Sequence, residues 1–149
     1  QLAETLGVEV GQRAPMDQVR EAVLRIRGSK GMVLDPLDHD TWSAGSFFTN
    51  PILDAHEAER LPAAAPRFDA GGGRIKTSAA WLISNSGIER GHALGERASV
   101  STKHSLALTN RGGAASEDLA ALARDVQQRV EESYGIRLVP EPVRLGIEL

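Results

Sequence analysis

The sequence predicts an α+β fold: one domain with about three to four helices and a mainly antiparallel sheet. Two patterns carry this. Helical and strand-like stretches alternate without the regular strand–helix–strand rhythm of a parallel sheet. Neighbouring strand-like runs, such as residues 98–100 and 105–109, are joined by links too short for a parallel crossover. A third observation bounds the size, since 149 residues with 41% hydrophobic content suit one buried core.

Residues 2–10 are mildly apolar and read as the tail of a helix or a lead-in. The first clear helix is predicted over residues 15–27. Pro15 suits a first helical position, where its missing N–H would be unpaired anyway. Val19, Ala22, Val23 and Ile26 recur at helical spacing, arginines cover the other faces, and Gly28 stops the run. Residues 32–43 read as loop around Pro36 and the cluster Asp38-His39-Asp40. Adjacent side chains converge poorly on one ion, so a solvated loop is expected there rather than a metal site.

Residues 44–51, Ala-Gly-Ser-Phe-Phe-Thr-Asn-Pro, hold two of the six aromatics of the chain. Gly45 permits a bend or a close approach, and Pro51 pushes Asn50 toward extended backbone. A stiff, apolar-walled segment presenting one hydroxyl and one carboxamide follows. Composition alone favours a buried strand here over a catalytic segment.

Residues 52–61 read as a short polar-faced helix. His56-Glu57 begins like a zinc-protease helix, but Arg60 stands where the second histidine belongs. Residues 62–66 form a proline- and alanine-rich connector, and residues 71–73 a flexible glycine loop. Lys76-Thr77 is no phosphate loop, because Ile75 replaces the required glycine. Thr77 or Ser78 is expected to cap a helix over residues 79–84, with Trp81 and Leu82 facing the core. Strands follow at residues 98–100 and 105–109, then a turn at Gly112-Gly113. Ser116 is expected to cap the longest helix, with Glu117 and Asp118 complementing its dipole. Leu119, Leu122, Ala123, Val126 and Val130 give that helix its apolar stripe, and Gly135 ends it. Residues 136–139 and 143–147 read as final strands, hinged at Pro140-Glu141-Pro142.

Composition narrows the function classes. A net charge of −3 with no basic stripe among aromatics argues against nucleic-acid binding. No apolar run has membrane-spanning length, and no signal-peptide pattern opens the chain. Absence of cysteine excludes disulfides and thiolate chemistry and fits a cytoplasmic location. The chain opens at Gln1 in what reads as the middle of an element, so a fragment sharing its function with other residues is expected.

Five stretches in order carry a family resemblance: residues 27–30, 44–51, 76–83, 100–112 and 138–144. Together they resemble the C-terminal half of the UDP-N-acetylenolpyruvoylglucosamine reductase (MurB) family, over nearly the whole chain. The resemblance implies reduction of UDP-N-acetylglucosamine enolpyruvate to UDP-N-acetylmuramate, a peptidoglycan precursor needed for cell shape and division. It implies FAD as the redox cofactor and NADPH as reductant. Residues 1–27 would join absent FAD-binding domains, and residues 28–149 would form the substrate-binding domain, with Glu141 on a C-terminal strand. Ser46 matches the family's proton donor and Glu141 its C-terminal active-site glutamate. Lys30 and Asn50 match contacts to the substrate diphosphate, and Arg90 and His104 match uridyl contacts. Thr49 departs, since many members carry lysine there. No metal is implied. Two alternatives stand beside this reading: a UDP-sugar binding module without redox chemistry, and a structural domain that UDP-sugars do not perturb. Ser46 and Glu141 discriminate, because a mere binder has no use for a proton donor beside a rigid carboxylate.

Overall fold

A computed structural model of the chain describes residues 1–143 and 145–147. Two helices come first, α1 (Leu2–Leu6) and α2 (Met16–Gly28), packed against each other. Two short helices follow, α3 (Ala55–Glu59) and α4 (Ala79–Ser84), and then the long α5 (Ser116–Tyr134). The count among the described residues is five, the small α1 accounting for the excess over expectation.

Among the described residues, six short strands form two antiparallel sheets. The first has β1 (Ser43–Ser46) beside β6 (Ala107–Asn110) beside β5 (Ala98–Val100). The second has β2 (Ile52–Leu53), β4 (Ile75–Lys76) and β3 (Phe68–Asp69) in that spatial order. Every strand ladder among the described residues is antiparallel, and for β3–β4 and β5–β6 the short links require it. No described helix is long and apolar enough to cross a membrane.

The core lies where α4 and α5 meet the first sheet. Leu122, Ala123, Val126 and Val130 of α5 are buried against Leu82, Ile83, Val100, Leu108, Phe48 and Leu138. Leu119 stays half-buried at the edge of this stripe. Trp81 is only partly covered and tilts toward Tyr134, with ring centroids 6.0 Å apart.

Four local expectations are corrected. Within residues 52–61 only α3 is helical, because Ile52 and Leu53 pair with β4 and Asp54 starts the helix. Asp54 Oδ1 accepts from Glu57 N at 2.8 Å, and Glu57 Oε2 accepts from Asp54 N at 3.0 Å. Glu57 is thereby committed to a helix start. The glycine loop at 71–73 is the turn of the β3–β4 hairpin, closed by Ala70 N–H donating to Arg74 O at 3.0 Å. Ser116 is the first residue of α5 rather than its cap. Ala115 holds the cap position, and Asp118 Oδ2 reaches back to accept from its N–H at 2.8 Å.

The fourth correction concerns the C-terminal strands. Residues 136–139 form no strand, and none appears at 143 or 145–147; Arg144 lies outside the described residues. The chain instead runs extended beside residues 47–49, with a single antiparallel bridge between Phe48 and Pro140. The next rung would need Phe47 N–H to donate to Glu141 O, but that N–H donates to Leu106 O, so the ladder stops at one bridge.

Candidate active site

Ser46 ends β1 just after a break in register. Ser43 pairs with Thr109 but Ser46 pairs with Ala107, so β1 carries one extra residue. Gly45 absorbs it at φ 86°, a conformation that a side chain would strain. Such bulges bend a strand and re-aim the side chain that follows. The next residues anchor the bend. Phe47 N–H donates to Leu106 O at 2.7 Å, and Phe48 is 1% exposed in the core. The two rings meet edge to face at 5.1 Å. The half-buried Ser46 hydroxyl therefore sits on a base with little freedom.

The same segment positions Glu141. Thr49 N–H donates to Val139 O at 3.0 Å, and Glu141 N–H donates to Phe47 O at 2.9 Å. These bonds bring the exposed Glu141 to the mouth of a cleft of about 760 Å³ that Ser46 also lines. Arg27, Met32 and Leu34 line it as well. Arg27 opens the first stretch of the resemblance, but no role at the site is expected of it beyond helix surface. Its position three residues before Lys30, at the last turn of α2, was the available signal.

Lys30, Arg90 and His104 form a second grouping. His104 is half-buried, and its Nδ1 accepts from Leu106 N–H at 3.2 Å, so the neutral ring carries its proton on Nε2. Burial first, then the charges of Lys30 and Arg90, hold its pKa below the ordinary histidine value. At neutral pH the grouping is therefore two cations beside a neutral N–H donor. Arg90 is exposed and lines a separate shallow pocket with His92. None of the three lines the Ser46 cleft, although Gly31, next to Lys30, does.

Asn50 stands apart. Its Oδ1 accepts from Ala79 N–H at 2.9 Å, helping Ser78 to cap α4. Its NH₂ group makes no hydrogen bond among the described residues.

Asp38 and Asp40 prove to be structural, and the expectation of a solvated loop fails for Asp40, which is 5% exposed. A short 3₁₀ turn at His39–Thr41 carries it inward. Its carboxylate accepts from Thr102 N–H at 2.9 Å, from the Thr102 hydroxyl, and from Arg111 Nη1 at 3.1 Å. Burial pushes this carboxyl up, but the Thr102 bonds and the Arg111 charge outweigh it and hold the pKa low. Asp38 pairs with Lys103. Both carboxylates thus brace residues 101–104, the loop that ends in His104. Ser101 Oγ completes the turn by accepting from Lys103 N–H at 3.0 Å and His104 N–H at 3.2 Å. Among the described residues no three His, Cys, Asp or Glu side chains group as a metal site.

Residues 35–145 match the family profile described as UDP-N-acetylenolpyruvoylglucosamine reductase, C-terminal domain. The chain belongs to this family. Curated relatives bearing the reductase's name agree. One from Streptomyces coelicolor is 58% identical over 99% of this chain and 41% of its own length. One from Cutibacterium acnes is 56% identical over 98% of this chain and 39% of its own. A third, from Thermobifida fusca, is 52% identical over 100% of this chain and 44% of its own. The chain thus spans about two fifths of the length of these curated relatives. Within this reductase C-terminal domain, the profile takes in Ser46, Asn50, Arg90, His104 and Glu141. Arg27 and Lys30 fall before its first matched residue but inside the match to the Thermobifida relative.

Proposed function

We propose that this chain is the substrate-binding domain of a flavin-dependent reductase that converts UDP-N-acetylglucosamine enolpyruvate to UDP-N-acetylmuramate. NADPH is the reductant, and the product is a peptidoglycan precursor made in the cytoplasm. The observation that carries the reading is the shared cleft of Ser46 and Glu141. A hydroxyl on a rigid bulge and a carboxylate between two prolines suit proton transfer, and a sugar-binding module needs neither.

The cleft's residues fit one face of a flavin ring and a small acid. Met32, Leu34 and Ala44 give an apolar stretch, and Arg27 is the single cation among its described lining residues. One cation does not hold the two phosphates of a dinucleotide, so most FAD contacts would come from domains joined through residues 1–27. When bound, the flavin supplies hydride to one carbon of the enolpyruvyl double bond. This chain's part is the proton. Ser46 Oγ–H gives it to the neighbouring carbon, which is strongly basic as its enol-like form develops. A hydroxyl of ordinary acidity suffices there if it is held in place. The alkoxide recovers its proton from water or through Glu141. Arg27 steadies the enolpyruvyl carboxylate. Lys30, Arg90 and the His104 Nε2–H hold the diphosphate and uridine end, with the Asn50 NH₂ group as a further donor.

The test uses the full-length protein. NADPH oxidation should require both flavin and UDP-N-acetylglucosamine enolpyruvate, and mass spectrometry should find a product heavier by two hydrogens. A protein that binds the sugar nucleotide but neither copurifies with flavin nor oxidises NADPH would place the binding-module alternative first.

A further inference from the structure

Gln127 is out of place in the α5 stripe. It is 3% exposed among the buried Ala123, Val126 and Val130, where every other position is apolar. Its Nε2 donates to Leu138 O at 2.7 Å. Its Oε1 is buried and has no partner among the described residues. An unpaired buried carbonyl costs stability, and a leucine or methionine would fill the same space without one. The amide's benefit therefore lies in the single bond it makes.

That bond lands on the segment that carries Glu141. Leu138 is 1% exposed and three residues upstream of Glu141. Among the described residues, the other hydrogen bonds of the segment from 138 to 141 go to Thr49, through Val139 O, and to Phe47, through Glu141 N–H. Pro140 and Pro142 can donate nothing. The bonds to Phe47 and Thr49 set how Glu141 lies along β1, but both come from one neighbouring segment. Gln127 adds a fixed point from the opposite side, on the longest helix of the chain. We propose that Gln127 is a positioning residue for the reduction step: it clamps Leu138 so that Glu141 is held at a set distance from Ser46. This rests on the proposed role of Glu141.

The experiment uses the full-length holoenzyme, its flavin reduced anaerobically with NADPH and then mixed with UDP-N-acetylglucosamine enolpyruvate. Gln127→Met should leave flavin reduction by NADPH unchanged and substrate affinity within about threefold. Flavin reoxidation should slow by about ten- to a hundredfold, as small misplacements near reacting groups do. Gln127→Glu adds a readout that a merely structural residue would not move. As a neutral acid it can donate to Leu138 O, and once ionised it repels that oxygen. Its reoxidation rate should therefore approach wild type at low pH and fall as the carboxyl ionises, a limb absent from wild type. Glu141→Gln is run alongside. If Glu141→Gln slows reoxidation while Gln127→Met matches wild type and Gln127→Glu shows no new limb, the positioning role is overturned and the reductase reading stands. If Glu141→Gln also reoxidises at the wild-type rate, Glu141 is no part of the site and the positioning role is overturned with it; a wild-type holoenzyme that the substrate does not reoxidise overturns the reductase reading itself. If Gln127→Met does not fold, the pH profile of Gln127→Glu alone decides.

Discussion

Replacing Gly31 with alanine probes the joint between the two groupings of the site. Gly31 has φ 70°, and a Cβ there would stand 2.8 Å from Asp40 O and 3.2 Å from Asp40 C. Two costs add. An L-residue in left-handed backbone costs about 1–2 kcal/mol. Pressing a methyl into the backbone carbonyl of Asp40, a residue whose carboxylate is held by Thr102 and Arg111, costs about 1–3 kcal/mol more. Gly72→Ala supplies the control, because Gly72 has φ 62° and nothing within 4 Å of its Cβ position. It should bear only the backbone cost of about 1–2 kcal/mol. Urea unfolding of this chain at equal m-value should therefore place Gly31→Ala about 2–5 kcal/mol below wild type, clearly beyond Gly72→Ala. In thermal melts about 2–4 °C should be lost for each kcal/mol. Equal costs for the two substitutions would refute the close packing of the Lys30–Gly31 turn on Asp40.

Two further outcomes follow from the cationic grouping. Lys30→Ala in the full-length enzyme should raise KM by about tenfold with kcat little changed, because a phosphate contact forms in ground and transition states alike; steady-state kinetics that show the reverse split contradict the assignment. His104 has a folded pKa below its ordinary value, so its neutral form contributes stability above about pH 6.5. That stability is lost as pH falls from there through the folded pKa. A bound diphosphate would raise the pKa, so UDP binding at a pH between the free and the bound value should take up a proton. Calorimetry in two buffers of different ionisation enthalpy measures this uptake, and His104→Gln should abolish it.

Local sequence signals decide the backbone where one residue's chemistry is enough. The apolar stripe of α5, the strand at 98–100 and the helix after Ser78 all appear as their patterns indicate. The slip in register at Gly45 and Ser46 depends on a strand about 60 residues away. Long-range partners were not legible. Asp40 looked like a loop carboxylate because Thr102 and Arg111 lie far along the chain. The residues before Glu141 read as a strand because Leu138 and Val139 are apolar, whereas Phe47 N–H is committed to Leu106 O and the pairing ends at one bridge. Arg27 passed as helix surface because nothing in a helical pattern reveals a cleft on the far side of the turn.

The most direct test of the account is the half-reaction at Ser46. The full-length enzyme and its Ser46→Ala variant are reduced with NADPH without oxygen, mixed with UDP-N-acetylglucosamine enolpyruvate, and followed by flavin absorbance. Both should be reduced by NADPH at the same rate. Wild type should then reoxidise, and the variant should stay reduced, slower by about a hundredfold or more. A Ser46→Ala enzyme that reoxidises as fast as wild type would remove the proton donor from the account, and with it the reason for the bulge that holds Ser46 in the cleft.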